Sequence, residues 1–309
     1  MQQVTETIKR RLESDIALIN TLGAYIIRSG GKRMRPLILL LSAKACGSTS
    51  THAVTLAAVI EFIHTATLLH DDVVDASALR RGQPTANDVW GNEASVLVGD
   101  FLYSRSFEMM VETGRMEVMN ILSSTTNAIA EGEVMQLLNA HSPDTTETVY
   151  LETIRRKTAK LFESAAWLGA VVGDQPDEVC AALARYGMHL GSAFQLIDDI
   201  MDYVADSNDI GKNVGDDLAE GKPTLPLIYA MRTGESHQSA LIRDAIENGS
   251  IDKIGDVVRI VESTGALTYT ADLAREQSHL AIEALSILDY SEYKQSLIDL
   301  AHFAVSRNR

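Results

Sequence analysis

The chain has 309 residues, of which 46% are hydrophobic and 22% are charged. A chain of this length and composition can bury a large apolar core, which excludes a disulfide-stapled mini-protein and a mainly disordered chain. The net charge of -15 repels polyanions and argues against nucleic acid as a partner. Two cysteines, Cys46 and Cys180, are too few for a disulfide framework and favour a cytoplasmic location.

Neither a targeting segment nor a division into domains is predicted. Residues 1–15 mix charges without the apolar stretch of a signal peptide, and we expect no apolar segment long enough to span a bilayer. No repeat, low-complexity tract or flexible linker interrupts the chain. We therefore expect one domain over residues 1–309.

Helix-length apolar segments alternate with short breaks. Three segments are too long for strands and are spaced as buried helices, namely 51–69, 116–138 and 187–203. Breaks rich in glycine, proline or aspartate fall at 29–31, 81–84, 141–144, 173–176 and 211–226. Helices that are apolar around most of their circumference must be surrounded by other helices, so the sequence predicts an all-α fold built as one large bundle. Residues 235–309 keep helical periodicity and are expected to be packing scaffold.

Two acidic motifs of the form D-D-x-x-D lie at the ends of apolar helical segments. They comprise Asp71, Asp72 and Asp75, and Asp198, Asp199 and Asp202. Residues four apart share a helical face. Acidic clusters are usually solvated helix faces, but these follow apolar runs, where three carboxylates need counter-charge. Bound hard cations such as Mg²⁺ would supply it. A similar run at 216–220 lies between glycines and is predicted to be a loop.

Basic residues and two polar side chains accompany the acidic motifs. Single basic residues are usually solvated, but against the net negative charge these clusters indicate a diphosphate site: Lys32, Arg35, Arg80, Arg81, Lys157, Lys212 and Lys222. Gly31-Lys32 lacks the remaining residues of a P-loop. His64 lies two helical turns before Asp71, so it is either a satisfied core histidine or a diphosphate ligand. Gln195 precedes Asp198 by three residues, so its amide can point into the cavity that the second acidic motif faces.

The chain resembles the trans-isoprenyl (polyprenyl) diphosphate synthases along almost its whole length. The motifs that carry the resemblance are Gly30-Gly31-Lys32-Arg33-Met34-Arg35-Pro36, 62–72, Leu97-Val98-Gly99-Asp100, Glu131-Gly132-Glu133, Lys157-Thr158-Ala159, 191–199 and 221–226. The resemblance implies a helical bundle with a central active-site cavity, and a homodimer. It also implies a prenyltransferase that adds isopentenyl diphosphate repeatedly to an allylic diphosphate primer, with farnesyl diphosphate as the expected primer.

The resemblance also implies a role for each candidate residue. Isopentenyl diphosphate would be bound by Lys32, Arg35, His64 and Arg81, and the allylic diphosphate by Arg80, Lys157, Lys212 and Lys222. Two to three Mg²⁺ ions would be held by Asp71, Asp75 and Asp198, supported by Asp72, Asp199 and Asp202. Gln195 and the hydroxyl of Thr158 would direct negative dipoles toward the allylic cation, and Lys157 would lie beside them.

The resemblance further implies a long-chain product. Small residues, Ala66 and Thr67, lie one turn before Asp71, and Met119, Leu122 and Met135 are candidates for the floor of the product tunnel. Octaprenyl diphosphate for quinone side chains, passed on to the membrane, is the expected product.

Three alternatives stay open. Shorter or longer products, from geranylgeranyl to solanesyl diphosphate, would use the same motifs. A class I terpene cyclase would not need the second basic set of Lys32, Arg35 and Arg81. A non-catalytic helical subunit of a heteromeric prenyl synthase would not need intact acidic motifs.

Overall fold

The computed structural model describes residues 1–28, 31–80, 82–204 and 215–306. Its α-helices, α1 to α16 in chain order, are Gln2–Leu12, Ala17–Arg28, Met34–Ala45, His52–Val74, Ala86–Trp90, Asn92–Val111, Met116–Asn139, Glu147–Ile154, Lys160–Val171, Asp177–Val204, Asp216–Ala219, Leu225–Thr233, Ser236–Asn248, Ile254–Ser263, Ala266–Ala284 and Glu292–Ser306. Arg155–Ala159 forms one π-helical turn, and Ile251–Lys253 and Leu285–Ile287 are 3₁₀ turns. Strands β1, Leu79–Arg80, and β2, Gln83–Pro84, pair antiparallel in a short hairpin. The prediction of an all-α fold is confirmed.

The predicted buried helices agree with the structure. The segment 51–69 lies in α4 except for the N-cap Thr51, 116–138 lies in α7 and 187–203 lies in the second half of α10. The predicted break at 81–84 contains β2, and the break at 173–176 separates α9 from α10. One prediction is wrong: residues 216–219 of the acidic run form the helical turn α11 instead of a loop.

The first of two compact units comprises Met1–Thr126, Leu161–Gly187 and Leu285–Leu297. Helix α4 lies at its centre and packs against α1, α3 and α6. Phe62, Ile60 and Ile63 of α4 are fully or almost fully buried, and burying each such side chain contributes about 1.5–3 kcal/mol.

A glycine lets α6 pack closely on the last turn of α4. A Cβ at Gly99 would lie 2.3 Å from Nε2 of His70. The His70 ring instead lies over the glycine, with Nε2 3.1 Å from the carbonyl oxygen of Val96. This contact places the end of α4, which carries the first acidic motif.

The second unit comprises Asn127–Lys160, Met188–Ala284 and Ile298–Arg309. Helix α12 packs against α8, α13, α14 and α15. One apolar cluster of this unit includes Tyr203, Leu227 and Ile246. A second cluster includes Tyr150 and Leu196, and it surrounds the second acidic motif with apolar side chains. The prediction of a single domain over residues 1–309 stays a prediction.

Helix α4 corrects the expectation that no apolar segment is long enough to span a bilayer. Within the described part of the chain, its 23 residues are long and apolar enough to cross a bilayer, and 56% of its most apolar 18-residue stretch is buried inside the protein. Because α4 also packs against α1, α3, α5 and α6, its apolar character is explained by its place at the centre of the first unit.

Candidate active site

The first acidic motif lies at the carboxyl end of α4. Asp71 and Asp72 belong to its last turn, and Asp75 caps it, with its backbone N–H donating to the carbonyl oxygen of Asp71 at 2.8 Å. Asp72 is 4% exposed, whereas Asp71 and Asp75 are half-buried. The motif therefore presents two carboxylates of one helical face and holds the third inside the protein.

Arg80 neutralises the buried carboxylate of this motif. Its Nε and Nη2 atoms both donate to Oδ1 of Asp72, at 2.8 and 2.7 Å. Burial raises the pKa of Asp72, and the hydrogen bond and charge of Arg80 oppose that rise. The hairpin β1–β2 thus supplies Arg80, which is one of the predicted diphosphate-binding cations and the partner of the buried aspartate of the motif.

A second cationic group lies in the same unit. Nη1 of Arg35, on α3, lies 3.1 Å from Nε2 of His64 on α4. The guanidinium of Arg35 stacks 4.4 Å from the ring centre of Phe162, a contact that holds it in place. Lys32 is exposed two residues before α3. The structure therefore brings Arg35 and His64 together, as the resemblance implied, whereas Arg81 lies outside the described residues.

The second acidic motif lies in the last two turns of α10. Asp199 and Asp202 are 2% and 4% exposed, and Asp198 is half-buried. Oδ2 of Asp202 accepts a 3.2 Å hydrogen bond from the backbone N–H of Asp217, at the start of α11. The short helix that was predicted to be a loop is therefore hydrogen-bonded to this motif.

Asp199 accepts hydrogen bonds at both carboxylate oxygens. Gln195 donates from Nε2 to Oδ1 at 2.7 Å, and the hydroxyl of Tyr150 donates to Oδ2. Burial and the nearby carboxylate of Asp217 raise the pKa of Asp199 well above its ordinary value, and the two hydrogen bonds oppose the rise. The two motifs therefore share one arrangement, in which buried aspartates bind protein groups and half-buried ones flank them.

The π-helical turn Arg155–Ala159 carries Lys157 and Thr158. Single π turns inside helices are frequent at functional sites. Nζ of Lys157 lies 2.5 Å from Oε2 of Glu133 on α7, and Oγ1 of Thr158 donates to Oε1 of Gln195 at 3.0 Å. Arg156 pairs with Glu131, which lies two residues before Glu133.

Gly132 lies between those two glutamates and allows α7 to contact the π turn. A Cβ at this position would lie 2.6 Å from the backbone nitrogen of Lys157. The motif Glu131-Gly132-Glu133 therefore positions Lys157: its glycine permits the close approach of the two helices, and Glu133 pairs with the lysine.

Lys222 follows α11 and pairs with Glu220. Its backbone N–H donates to the carbonyl oxygen of Asp217 at 2.8 Å, in the helix that is hydrogen-bonded to Asp202. Lys212 lies outside the described residues.

The candidate chain-length residues differ in burial. Ala66 is fully buried, and Thr67 is half-buried with its hydroxyl donating to the carbonyl oxygen of His64 at 2.8 Å. Leu122 is fully buried, while Met119 and Met135 are half-buried. At 3.6 residues per turn, Thr67 lies close to the face of Asp71, and Ala66 points more toward the core. A tunnel floor at these residues stays a prediction.

Each acidic motif offers oxygen donors only. Among the described residues, no three histidine, cysteine, aspartate or glutamate side chains converge where they could hold a metal ion. The half-buried carboxylates are Asp71 and Asp75 in the first unit and Asp198 in the second. Carboxylate oxygens are the donors that hard cations such as Mg²⁺ prefer, and Mg²⁺ takes further ligands from water and phosphate oxygens.

Sequence reasoning missed four residues of the site. Tyr150 and Phe162 contact Asp199 and Arg35 from other helices, and such contacts leave no signal in a linear motif. Glu133 was part of a quoted motif but had no assigned role, and Asp217 was assigned to a loop. The acidic residues of the run at 216–220, which resemble the two acidic motifs, were the sequence signal that could have identified Asp217 as part of the site.

Comparisons with known proteins give matches over most of the chain. Residues 16–263 match the family model described as polyprenyl synthetase. The chain is 50% identical to an octaprenyl diphosphate synthase of Haemophilus influenzae, over 100% of this chain and 94% of that protein. It is 48% identical to an all-trans-nonaprenyl-diphosphate synthase (geranyl-diphosphate specific) of Rhodobacter capsulatus, over 97% and 92%.

A solved structure of a polyprenyl synthase from Caulobacter crescentus, complexed with calcium and isoprenyl diphosphate, superposes with a TM-score of 0.96. It is 43% identical, and the match covers 100% of this chain and 95% of that one.

Proposed function

Since the chain belongs to the polyprenyl synthetase family, we propose that it adds isopentenyl diphosphate repeatedly to an allylic diphosphate primer. It is a prenyltransferase of the trans-polyprenyl diphosphate synthase class. The observation that carries the proposal is the common arrangement of the two acidic motifs, in each of which buried aspartates bind protein groups and half-buried aspartates lie beside them.

Isopentenyl diphosphate is proposed to bind in the first unit. Nη1 of Arg35 donates to Nε2 of His64 at 3.1 Å, because a guanidinium cannot accept a hydrogen bond. The imidazole proton is then on Nδ1, so each side chain keeps an N–H that can donate to a diphosphate. The contact with Phe162 limits the freedom of Arg35, so less side-chain entropy is lost when the ligand binds. Lys32 and Arg81 complete the proposed subsite.

The allylic diphosphate is proposed to be bound by Arg80, Lys157, Lys212 and Lys222. Three of these cations are held by carboxylates in the structure: Arg80 by Asp72, Lys157 by Glu133 and Lys222 by Glu220. Each carboxylate limits the freedom of its cation and offsets its positive charge.

Two to three Mg²⁺ ions are proposed to be held by Asp71, Asp75 and Asp198, with the buried aspartates of each motif in support. The Caulobacter relative, solved with calcium and isoprenyl diphosphate, supports a divalent cation and a diphosphate in this fold. Bound Mg²⁺ would neutralise diphosphate oxygens and favour departure of the allylic diphosphate.

The protein's own groups then stabilise the allylic cation that this departure leaves. The bond between the allylic carbon and the diphosphate oxygen breaks, and the double bond of isopentenyl diphosphate forms the new carbon–carbon bond. A proton lost to the released diphosphate leaves an allylic diphosphate that is one isoprene unit longer. The oxygens of Thr158 and Gln195 stabilise the cation by their dipoles, and the apolar surroundings exclude water that would trap it.

Octaprenyl diphosphate is the proposed product and farnesyl diphosphate the proposed primer. The 50% identity to an octaprenyl diphosphate synthase supports this length, and the nonaprenyl relative marks the nearest alternative. We further propose a cytoplasmic homodimer whose product passes to the membrane and enters the side chains of quinones.

The test is to incubate the purified protein with farnesyl diphosphate, isopentenyl diphosphate and Mg²⁺, and to determine the molecular masses of the dephosphorylated products by mass spectrometry. A polyprenol series that ends at eight isoprene units supports the proposal. A cyclised product formed without isopentenyl diphosphate would identify a terpene cyclase. The absence of any product, with the protein folded, would favour a non-catalytic subunit.

A further inference from the structure

A chain of hydrogen bonds in the second unit connects Tyr150 with Thr158. The hydroxyl of Tyr150 donates to Oδ2 of Asp199, and Nε2 of Gln195 donates to Oδ1 of the same carboxylate at 2.7 Å. Oγ1 of Thr158 then donates to Oε1 of Gln195 at 3.0 Å. These four side chains come from α8, the π turn that follows it, and α10, so the hydrogen bonds join α10 to the end of α8.

The chain has one direction because both oxygens of Asp199 accept hydrogen bonds, Oδ2 from the hydroxyl of Tyr150 and Oδ1 from Nε2 of Gln195. The amide of Gln195 therefore presents its N–H to Asp199. The amide oxygen must then face Thr158, whose single hydroxyl hydrogen is used in that bond. Both lone pairs of the Thr158 oxygen are thereby kept for another partner.

The reverse orientation of the amide would cancel this effect. If Gln195 turned round, its N–H would take a lone pair of Thr158, and its oxygen would face the carboxylate of Asp199. Tyr150 opposes that rotation, because its hydroxyl holds the second oxygen of Asp199 and fixes the plane of the carboxylate. Tyr150 is 6% exposed and packs in an apolar cluster with Leu196 and Ile200, so its ring has little freedom.

We propose that Tyr150 is a positioning residue for prenyl transfer: through Asp199 it sets the orientation of the Gln195 amide and so directs the lone pairs of Thr158 toward the allylic cation. This inference rests on the proposed function. It predicts that Tyr150 affects the transition state, in which the cation forms, and not the binding of either diphosphate.

The first test compares Tyr150→Phe with Tyr186→Phe. Tyr186 is the matched control, since it is fully buried and its hydroxyl makes a 2.8 Å hydrogen bond to the carbonyl oxygen of Leu297. Both variants lose one buried hydroxyl and should lose similar thermal stability. Tyr150→Phe should lower kcat about tenfold with both KM values within about twofold of wild type, whereas Tyr186→Phe should keep the wild-type kcat. An unchanged kcat in Tyr150→Phe overturns the proposal.

The second test is a double-mutant cycle with Thr158→Val, which removes the hydroxyl and keeps the shape. If Tyr150 acts through Thr158, then adding Tyr150→Phe to Thr158→Val causes no further loss of kcat. Losses that multiply would show that Tyr150 acts independently, which overturns the proposal.

Asp199→Asn provides a variant that does not depend on Tyr150→Phe folding. Asparagine offers an N–H to the Gln195 oxygen and so permits the reverse orientation. A kcat at least tenfold below wild type, with an unchanged melting temperature, is expected, and a wild-type kcat contradicts the inference. If wild-type protein forms no polyprenyl diphosphate, the proposed function fails. If wild-type protein is active and the cycle is additive, only this inference fails.

Discussion

Replacing Gly132 with alanine should separate α7 from the π turn that carries Lys157. The new Cβ would lie 2.6 Å from the backbone nitrogen of Lys157, 2.9 Å from Cβ of Arg156 and 3.0 Å from Cα of Lys157. Two of these neighbours are backbone atoms, so a side-chain rotation cannot relieve the contact. Reaching an ordinary separation of 3.4 Å requires the two helices to move apart by several tenths of an ångström.

The magnitude follows from this displacement. Overpacking of this kind costs about 1–3 kcal/mol, which for a chain of this size lowers the melting temperature by about 2–6 °C. Because Lys157 and Thr158 move with the turn, the reacting groups are misplaced by a large part of an ångström. A misplacement of about 1 Å can cost about 10²-fold in rate, so we expect kcat/KM for the allylic substrate to fall by between ten- and a hundredfold.

Gly255→Ala is the matched control for this variant. Gly255 lies on α14 in the same unit, and a Cβ there meets no atom within 4 Å. Its expected effect is a gain of up to about 1 kcal/mol from helix propensity, with unchanged kinetics. Melting curves followed by circular dichroism and steady-state kinetics check both variants. Wild-type stability and kcat/KM in Gly132→Ala would refute the role given to this contact.

Three further predictions concern metals, substrates and chain length. Asp71→Ala and Asp198→Ala should each lower turnover by at least about 10²- to 10³-fold with near wild-type melting temperatures; near wild-type turnover in Mg²⁺ would contradict the assignment of metal ligands. Lys32→Ala should chiefly raise KM for isopentenyl diphosphate and Arg80→Ala chiefly KM for the allylic substrate; equal effects on both substrates would remove the division into two subsites. Ala66→Tyr should shorten the product, at a cost of about 1–3 kcal/mol because Ala66 is fully buried; an unchanged product distribution by mass spectrometry would show that residue 66 does not limit chain length.

Local patterns were sufficient to predict the helices and the acidic motifs. The segment that became α4 was visible because its apolar residues are dense and helical in spacing, and Asp71 and Asp75 follow it directly. The separation of each motif into buried and half-buried aspartates could not be predicted, since it depends on partners such as Arg80 and Tyr150.

Other features required the folded chain. The π turn has no sequence signature, because it depends on contacts between α7 and the helix that it interrupts. The run at 216–220 was assigned to a loop because glycines flank it, but Gly215 adopts a positive φ of 91° and caps α11 instead. Its function became visible only from the hydrogen bond between Asp217 and Asp202.

Metal-dependent binding of the allylic diphosphate is the central claim, and calorimetry with a non-reacting analogue measures it directly. Farnesyl thiodiphosphate would be titrated into wild-type protein with Mg²⁺ or with EDTA, and into Asp198→Asn with Mg²⁺. The two acidic motifs predict that Mg²⁺ tightens binding to wild-type protein at least about tenfold, and that Asp198→Asn loses most of this gain. Equal affinity in Mg²⁺ and in EDTA would contradict the assignment of the acidic motifs to a metal-bound diphosphate.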